Sequence, residues 1–280
     1  CRPPGRHGGR RTSGVRHRRA AAPENGYNGL MCHDHDSRPP APPRSGEVAE
    51  RASLTLTAAD GTQFAAAYAA PADTPGTGVV VLPDIRGLHP YYVALTERFA
   101  EAGVAAVAID WFGRTAGLPE GGTRGEDFGW QEHIPQTTPE GIDADIAAAI
   151  AALRERHGAD LPVVTVGFCF GGSHSWRQSG GDLGLAGCAG FYGRPSMVGD
   201  AAERAALPTV MVIAGADAAT PVEDQLALAG RMRAAGADVD APVYEGAPHS
   251  FFDRAFGDWA DACQDAWQHV LALTDRVSRS

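Results

Sequence analysis

Apolar residues along the chain fall into short blocks of two kinds. Ser53–Thr57 alternates polar and apolar side chains, Asp60-Gly61 signals a turn, and Phe64–Tyr68 returns, which together predict a β-hairpin. Val79–Leu82 is a continuous apolar run of strand length, and Val104–Ile109, the β-branched Val163–Val166, Leu185–Tyr192 and Thr209–Ala214 read as further, largely apolar strands. Such runs belong to strands covered on both faces, as in a parallel sheet. Between them, Tyr91–Ala102, Asp143–His157, Val222–Ala235 and Trp259–Val277 repeat apolar residues at helical spacing, and Gly103 and Gly236 stop two of these segments. Val239–Tyr244 reads as the last strand. Strands alternating with helices predict an α/β fold, a mostly parallel, doubly wound sheet with helices on both faces.

Two stretches break this pattern. Residues 1–50 are rich in Arg, Gly and Pro and read as a disordered leader, with the α/β domain over 51–280. Met31 is the expected start, with residues 1–30 upstream of it. Arg10-Arg11 is not followed by an apolar segment, so an export signal is not expected. Cys32-His33-Asp34-His35-Asp36 has the composition of a metal cluster, but a Pro-rich leader does not pre-organise ligands, so no metal is expected. The second stretch, Gly113–Gly141, is polar, Gly- and Pro-rich and long; such a connection in a compact domain predicts a lid or cap over a site.

Composition narrows the function. The net charge is −10, yet residues 1–30 carry seven Arg and one acid, so the body is strongly acidic and is not expected to bind nucleic acid. All 24 basic residues are Arg, which excludes lysine chemistry such as a Schiff base. The five cysteines are odd in number and scattered, which predicts reduced thiols and a cytoplasmic protein. Apolar runs are too short for a membrane span.

The chemistry centres on Val163-Val164-Thr165-Val166-Gly167-Phe168-Cys169-Phe170-Gly171-Gly172. A strand ends at Gly167, Cys169 follows between small residues, and a helix can start at once. That is the strand–turn–helix setting of a nucleophile elbow, with Cys in place of Ser. The turn is so tight that side chains at 167 and 171 would collide, and the following helix N-terminus favours a thiolate. Asp217 and His249 each follow a later strand, so all three residues fall on the carboxyl edge of the sheet, where ligands bind in such folds. Nucleophile, acid, histidine is the α/β-hydrolase order. Asp224, inside a helix, is the competing acid. The backbone N–H groups of Phe170 and Ile85 are the expected oxyanion donors.

The Cys elbow, the acidic residue in Leu82-Pro83-Asp84-Ile85-Arg86-Gly87, Gly215-Ala216-Asp217 before Pro221, and His249-Ser250-Phe251 together resemble the dienelactone hydrolase family, over about Ser53 to Thr274. The resemblance implies an α/β-hydrolase fold with a Cys169–His249–Asp217 triad that opens small lactones or esters through a thioester. It also implies an acid that activates the thiol; Asp84 stands where the family has Glu. Arginines that bind a substrate carboxylate are implied too, with Arg86, Arg254 and Arg124 as candidates. No cofactor is expected, and the partner is a small ester or lactone taken up by a monomer or small homo-oligomer. A thioesterase or general carboxylesterase with the same triad is the alternative, and a non-catalytic binding protein of the same fold a third. His174, Trp259, Trp267, Cys188 and Cys263 are expected to serve packing; Tyr91, Tyr92, Trp111 and Phe112 line either a pocket or the core.

Overall fold

The computed structural model describes residues 37–253 and 256–279. The predicted hairpin is β1 (Val48–Thr57) and β2 (Gln63–Pro71), antiparallel across the Asp60-Gly61 turn. Then come β3 (Gly78–Leu82), α1 (Pro90–Glu101) and β4 (Ala105–Ile109). The long connection holds two single-turn helices, α2 (Gly113–Ala116) and α3 (Trp130–His133), before α4 (Pro139–His157). The elbow lies between β5 (Val163–Phe168) and α5 (Phe170–Arg177), followed by β6 (Gly187–Phe191) and β7 (Thr209–Ala214). The chain closes with α6 (Val222–Ala235), β8 (Val239–Asp240), β9 (Val243–Tyr244) and α7 (Ala260–Val277).

Strand order is β1-β2-β4-β3-β5-β6-β7-β8, with β9 also paired to β7. All neighbours from β4 onward are parallel; β2 joins β4 antiparallel. The central strands β3, β4 and β5 are buried at every position, which is why their sequences show no alternation. On one face α1 meets α7 where Phe99 and Trp267 pack edge to face. On the other, α4 is tied to α5 by the Arg177–Asp143 ion pair, and α5 shares the cluster of Trp176, Leu228 and Met232 with α6.

Three expectations change. The last strand is two short pieces, because Pro242 has no N–H to donate; its carbonyl still accepts from the Ile213 N–H at 3.0 Å. Helix α4 starts four residues before Asp143: Thr138 caps the Gly141 N–H at 3.1 Å, and Pro139 occupies the first turn. The end of the expected leader is ordered. Pro39 and Pro40 are buried, the Trp267 indole N–H donates to the Pro40 carbonyl at 3.1 Å, and Arg44 pairs with Asp275 on α7. The packed domain therefore reaches back before residue 51. Cys32 through Asp36 and Met31 lie outside the described residues.

Candidate active site

The turn after β5 is built by steric necessity. Cys169 has φ 53° and ψ −110°, a backbone conformation an L-residue adopts only under constraint. A Cβ on Gly167 would stand 2.0 Å from the Gly171 carbonyl oxygen, and one on Gly171 would stand 2.1 Å from that of Leu82. Glycine is thus required on both sides. The Cys169 N–H donates to Phe191 on β6 at 3.0 Å, and its carbonyl accepts from the Ser173 N–H at 3.1 Å and hydroxyl at 3.0 Å. The strained residue is held from the sheet and from the helix at once. Cys169 is 8% exposed, at the start of α5.

The acid and the histidine arrive from adjacent strand ends. Gly215 N–H donates to the Tyr244 carbonyl at 2.9 Å and Ala216 N–H to that of Ala247 at 2.8 Å, which zips the loop after β7 to the loop after β9. This brings His249 Nδ1 to 2.7 Å from Asp217 Oδ2. Asp217 Oδ1 accepts the N–H groups of Ala219 at 2.8 Å and Thr220 at 3.2 Å, so the carboxylate is fixed by its own loop. The Tyr192 ring lies 4.9 Å from the His249 ring, centroid to centroid, and its hydroxyl donates to Asp253 Oδ2 at 3.1 Å. Among the described residues, the non-glycine positions with positive φ are Cys169, Tyr192 and Ser250. All three gather at this edge, where strain tends to be concentrated at functional sites. Asp224, the competing acid, sits in the first turn of α6 and lines a separate cavity of about 500 Å³ with Arg194, Thr220 and Arg231; neither Cys169 nor His249 lines it.

The loop after β3 is stapled. Asp84 is fully buried; its N–H donates to the Tyr92 hydroxyl at 3.0 Å, and its Oδ1 accepts the Arg86 N–H at 2.8 Å. Its Oδ2 lies 3.8 Å from Arg86 Nε. Arg86 Nη1 in turn donates to both oxygens of Glu126, at 3.1 and 3.2 Å, from the connection between β4 and α4. Ile85, between Asp84 and Arg86, is completely buried.

Arg124, a candidate for binding a substrate carboxylate, is engaged within the protein. Its guanidinium donates to Asp110 Oδ2 at 3.0 and 2.8 Å, both side chains buried, and also reaches the Gly117 carbonyl. Burial pushes the Asp110 carboxyl up while Arg124 opposes that shift. Arg254 lies outside the described residues. His174 packs, as expected: it stands 4.6 Å from Phe170 and 6.4 Å from Trp111 between ring centroids, and burial holds its imidazole down at about 3. Cys188 and Cys263 are buried free thiols, each raised to about 12 by burial. Among the described residues no group of three or more His, Cys, Asp or Glu is placed to hold a metal ion, and no helix is long and apolar enough to cross a membrane.

Sequence reasoning missed His89 and Glu126. His89-Pro90 was a readable start for α1: the imidazole Nδ1 accepts the Tyr91 N–H at 3.2 Å, with Pro in the first turn. Glu126 offered no local signal, because its partners lie about forty residues upstream.

A cysteine on a strand–helix elbow, with an Asp–His pair delivered by two later strands of a mostly parallel sheet, defines an α/β-hydrolase. Within that class the chain belongs to the dienelactone hydrolase family, which it matches over residues 64–278. It is 28% identical over 207 residues to "Protein usf" of Aquifex pyrophilus, an alignment spanning 71% of this chain and 87% of that one. It is 27% identical over 207 residues to the "Putative carboxymethylenebutenolidase" of Yersinia pestis, covering 69% and 75% respectively. The fold matches that of the crystal structure titled "Putative Dienelactone Hydrolase" from Klebsiella pneumoniae with a TM-score of 0.67 at 24% identity, over 81% of this chain and 99% of that one. The chain is a hydrolase of this family.

Proposed function

We propose that this hydrolase opens small lactones or related carboxylic esters through a thioester on Cys169, with His249 and Asp217 completing the triad. The observation that carries the reading is the His249 Nδ1–Asp217 Oδ2 contact of 2.7 Å at the same sheet edge as the strained elbow cysteine. Asp217 holds the tautomer in which Nε2 accepts a proton, and it stabilises the imidazolium that results. Sγ of Cys169 attacks the carbonyl carbon while its proton passes to His249. The tetrahedral intermediate collapses, the C–O bond breaks, and His249 returns the proton to the leaving oxygen. In a lactone that oxygen stays tethered to the acyl group, so product leaves only after a second attack. Water, deprotonated by His249, then attacks the thioester and frees the thiol. The oxyanion of each intermediate is met by the Phe170 N–H at the start of α5 and by the Ile85 N–H.

Asp84 takes a different part from the Glu that the family resemblance suggests. Its buried carboxylate faces Arg86 through both oxygens, and this favours a role in shaping the Ile85 loop over abstracting the thiol proton. His249 is then the base for the thiol. The test is a panel of lactones, aryl esters and acyl thioesters assayed with the wild type, Cys169→Ala and His249→Ala. Loss of lactone and ester turnover in both variants is expected; full turnover in Cys169→Ala would overturn the reading, and thioesters turned over well ahead of the rest would move the substrate class.

A further inference from the structure

We infer that Glu126, from the connection between β4 and α4, is a positioning residue for the oxyanion donor at Ile85. The inference rests on the proposed mechanism and adds to it a residue remote in sequence from the triad. The Ile85 peptide lies in a loop with almost every other group tied down. Before it, the Asp84 N–H donates to Tyr92 and the Asp84 carboxylate takes the Arg86 N–H. After it, Gly87 N–H returns to the Asp84 carbonyl at 3.2 Å, and Leu88 N–H reaches Asp110 Oδ1 at 3.4 Å. The Arg86 side chain leaves the same turn, so its direction bears on the position of the Ile85 peptide beside it.

Glu126 restrains that direction. Arg86 is 4% exposed, and its guanidinium lies between two carboxylates, Asp84 at 3.8 Å and Glu126 at 3.1 Å. Asp84 belongs to the same turn and so cannot anchor it from outside; Glu126 does. The Glu126 carboxylate is itself oriented by His89. Because His89 Nδ1 accepts the Tyr91 N–H, the neutral ring carries its proton on Nε2, which donates to Glu126 Oε1 at 2.9 Å. Burial and the nearby Arg86 charge lower the His89 imidazole, which favours this neutral form. Two residues upstream of Glu126, the Arg124 N–H donates to the Leu88 carbonyl at 2.9 Å, and its guanidinium engages Asp110. The segment carrying Glu126 is therefore fastened to the same loop at a second point, which fixes the distance over which Glu126 acts.

A hydrogen-bond donor stabilises an oxyanion only when aimed at the position the charge will occupy, and a displacement of about 1 Å can cost roughly 100-fold in rate. Alkylation of a thiol needs no oxyanion donor. Comparing the two reactions in one variant therefore separates positioning from general structural damage. The experiment compares wild type, Glu126→Ala and Glu126→Gln for ester kcat and KM, for the rate of Cys169 alkylation by iodoacetamide, and for Tm. Glu126→Ala is expected to lose roughly 10- to 100-fold in kcat with KM changed less than about threefold and with alkylation near wild type, beside a lower Tm because the buried Arg86 cation loses a carboxylate partner. Glu126→Gln keeps an acceptor for Arg86 and His89 and should recover most of the rate. Unchanged kcat in Glu126→Ala, or a loss that alkylation shares in proportion, would overturn the inference. Cys169→Ala run alongside keeps the two ideas apart: if it retained ester turnover, the mechanism itself would fall, whatever Glu126 did.

Discussion

Nδ1 of His249 lies 2.7 Å from Oδ2 of Asp217, while the other Asp217 oxygen holds the N–H groups of Ala219 and Thr220. One carboxylate thus fixes its own loop and the histidine of another. Asp217→Asn keeps the size but lets an amide face the ring, so the tautomer is no longer imposed. A fall in kcat of about 10³- to 10⁴-fold is expected. Asp224→Asn, which changes the competing acid on α6, should leave ester kcat at the wild-type value. Steady-state kinetics on the two variants checks both.

The elbow is predicted to reject the smallest added side chain. In Gly171→Ala the new Cβ meets backbone oxygens of Leu82 and Pro83 at 2.1 and 2.3 Å, and backbone cannot move aside as a side-chain tip can. A loss of about 3 kcal/mol or more, with failure to fold as the extreme, is expected. Gly230→Ala, on the exposed face of α6 with no atom within 4 Å of the new Cβ, should instead gain about 0.5–1 kcal/mol. Urea midpoints of the two variants against wild type decide it.

Much of this site was legible in the sequence because its constraints are steric and local. Gly167 and Gly171 announce a turn in which no Cβ fits, and Cys169, Asp217 and His249, each beyond the end of a strand (β5, β7 and β9), fall on one edge. Glu126 was not legible. A carboxylate in an irregular connection carries no period, and its meaning comes from Arg86 and His89, which only the folded chain brings to it. The same holds for Arg124: read as a substrate-binding group in the sequence, it is occupied by buried Asp110. Pro39 and Pro40 misled for a related reason, since Pro-rich composition suggests disorder until the Trp267 N–H and the α7 surface are there to receive it.

The Arg124–Asp110 pair gives a stability prediction. Both side chains are buried, so removing the cation leaves a carboxylate without its compensating charge. Arg124→Met is expected to cost about 3–5 kcal/mol, whereas simultaneous replacement with Asp110→Asn should cost less than that single change. Denaturant unfolding of the single and double variants measures the coupling.

His174 predicts an acid-sensitive limb. Its imidazole, held at about 3 by burial against an ordinary 6.5, is neutral in the fold and takes up a proton more readily in the unfolded chain. The unfolded state therefore binds more protons between about pH 6.5 and 3. Stability from this group is fully present above 6.5 and is lost as pH falls through that window, with a slope of up to about 1.4 kcal/mol per pH unit. His174→Gln removes the titrating group, so its unfolding free energy should fall less steeply across the window than that of wild type. Urea titrations at several pH values between 3.5 and 7 test this.

The most direct test of the account is to catch the acyl group. An activated ester mixed with the enzyme and quenched in acid within its first turnover should leave one acyl mass on the peptide containing Cys169. The accompanying burst of leaving group should be stoichiometric with enzyme, and both should vanish in Cys169→Ala. An acyl group on any other residue, or turnover by Cys169→Ala at the wild-type rate, would contradict a thioester mechanism at this elbow.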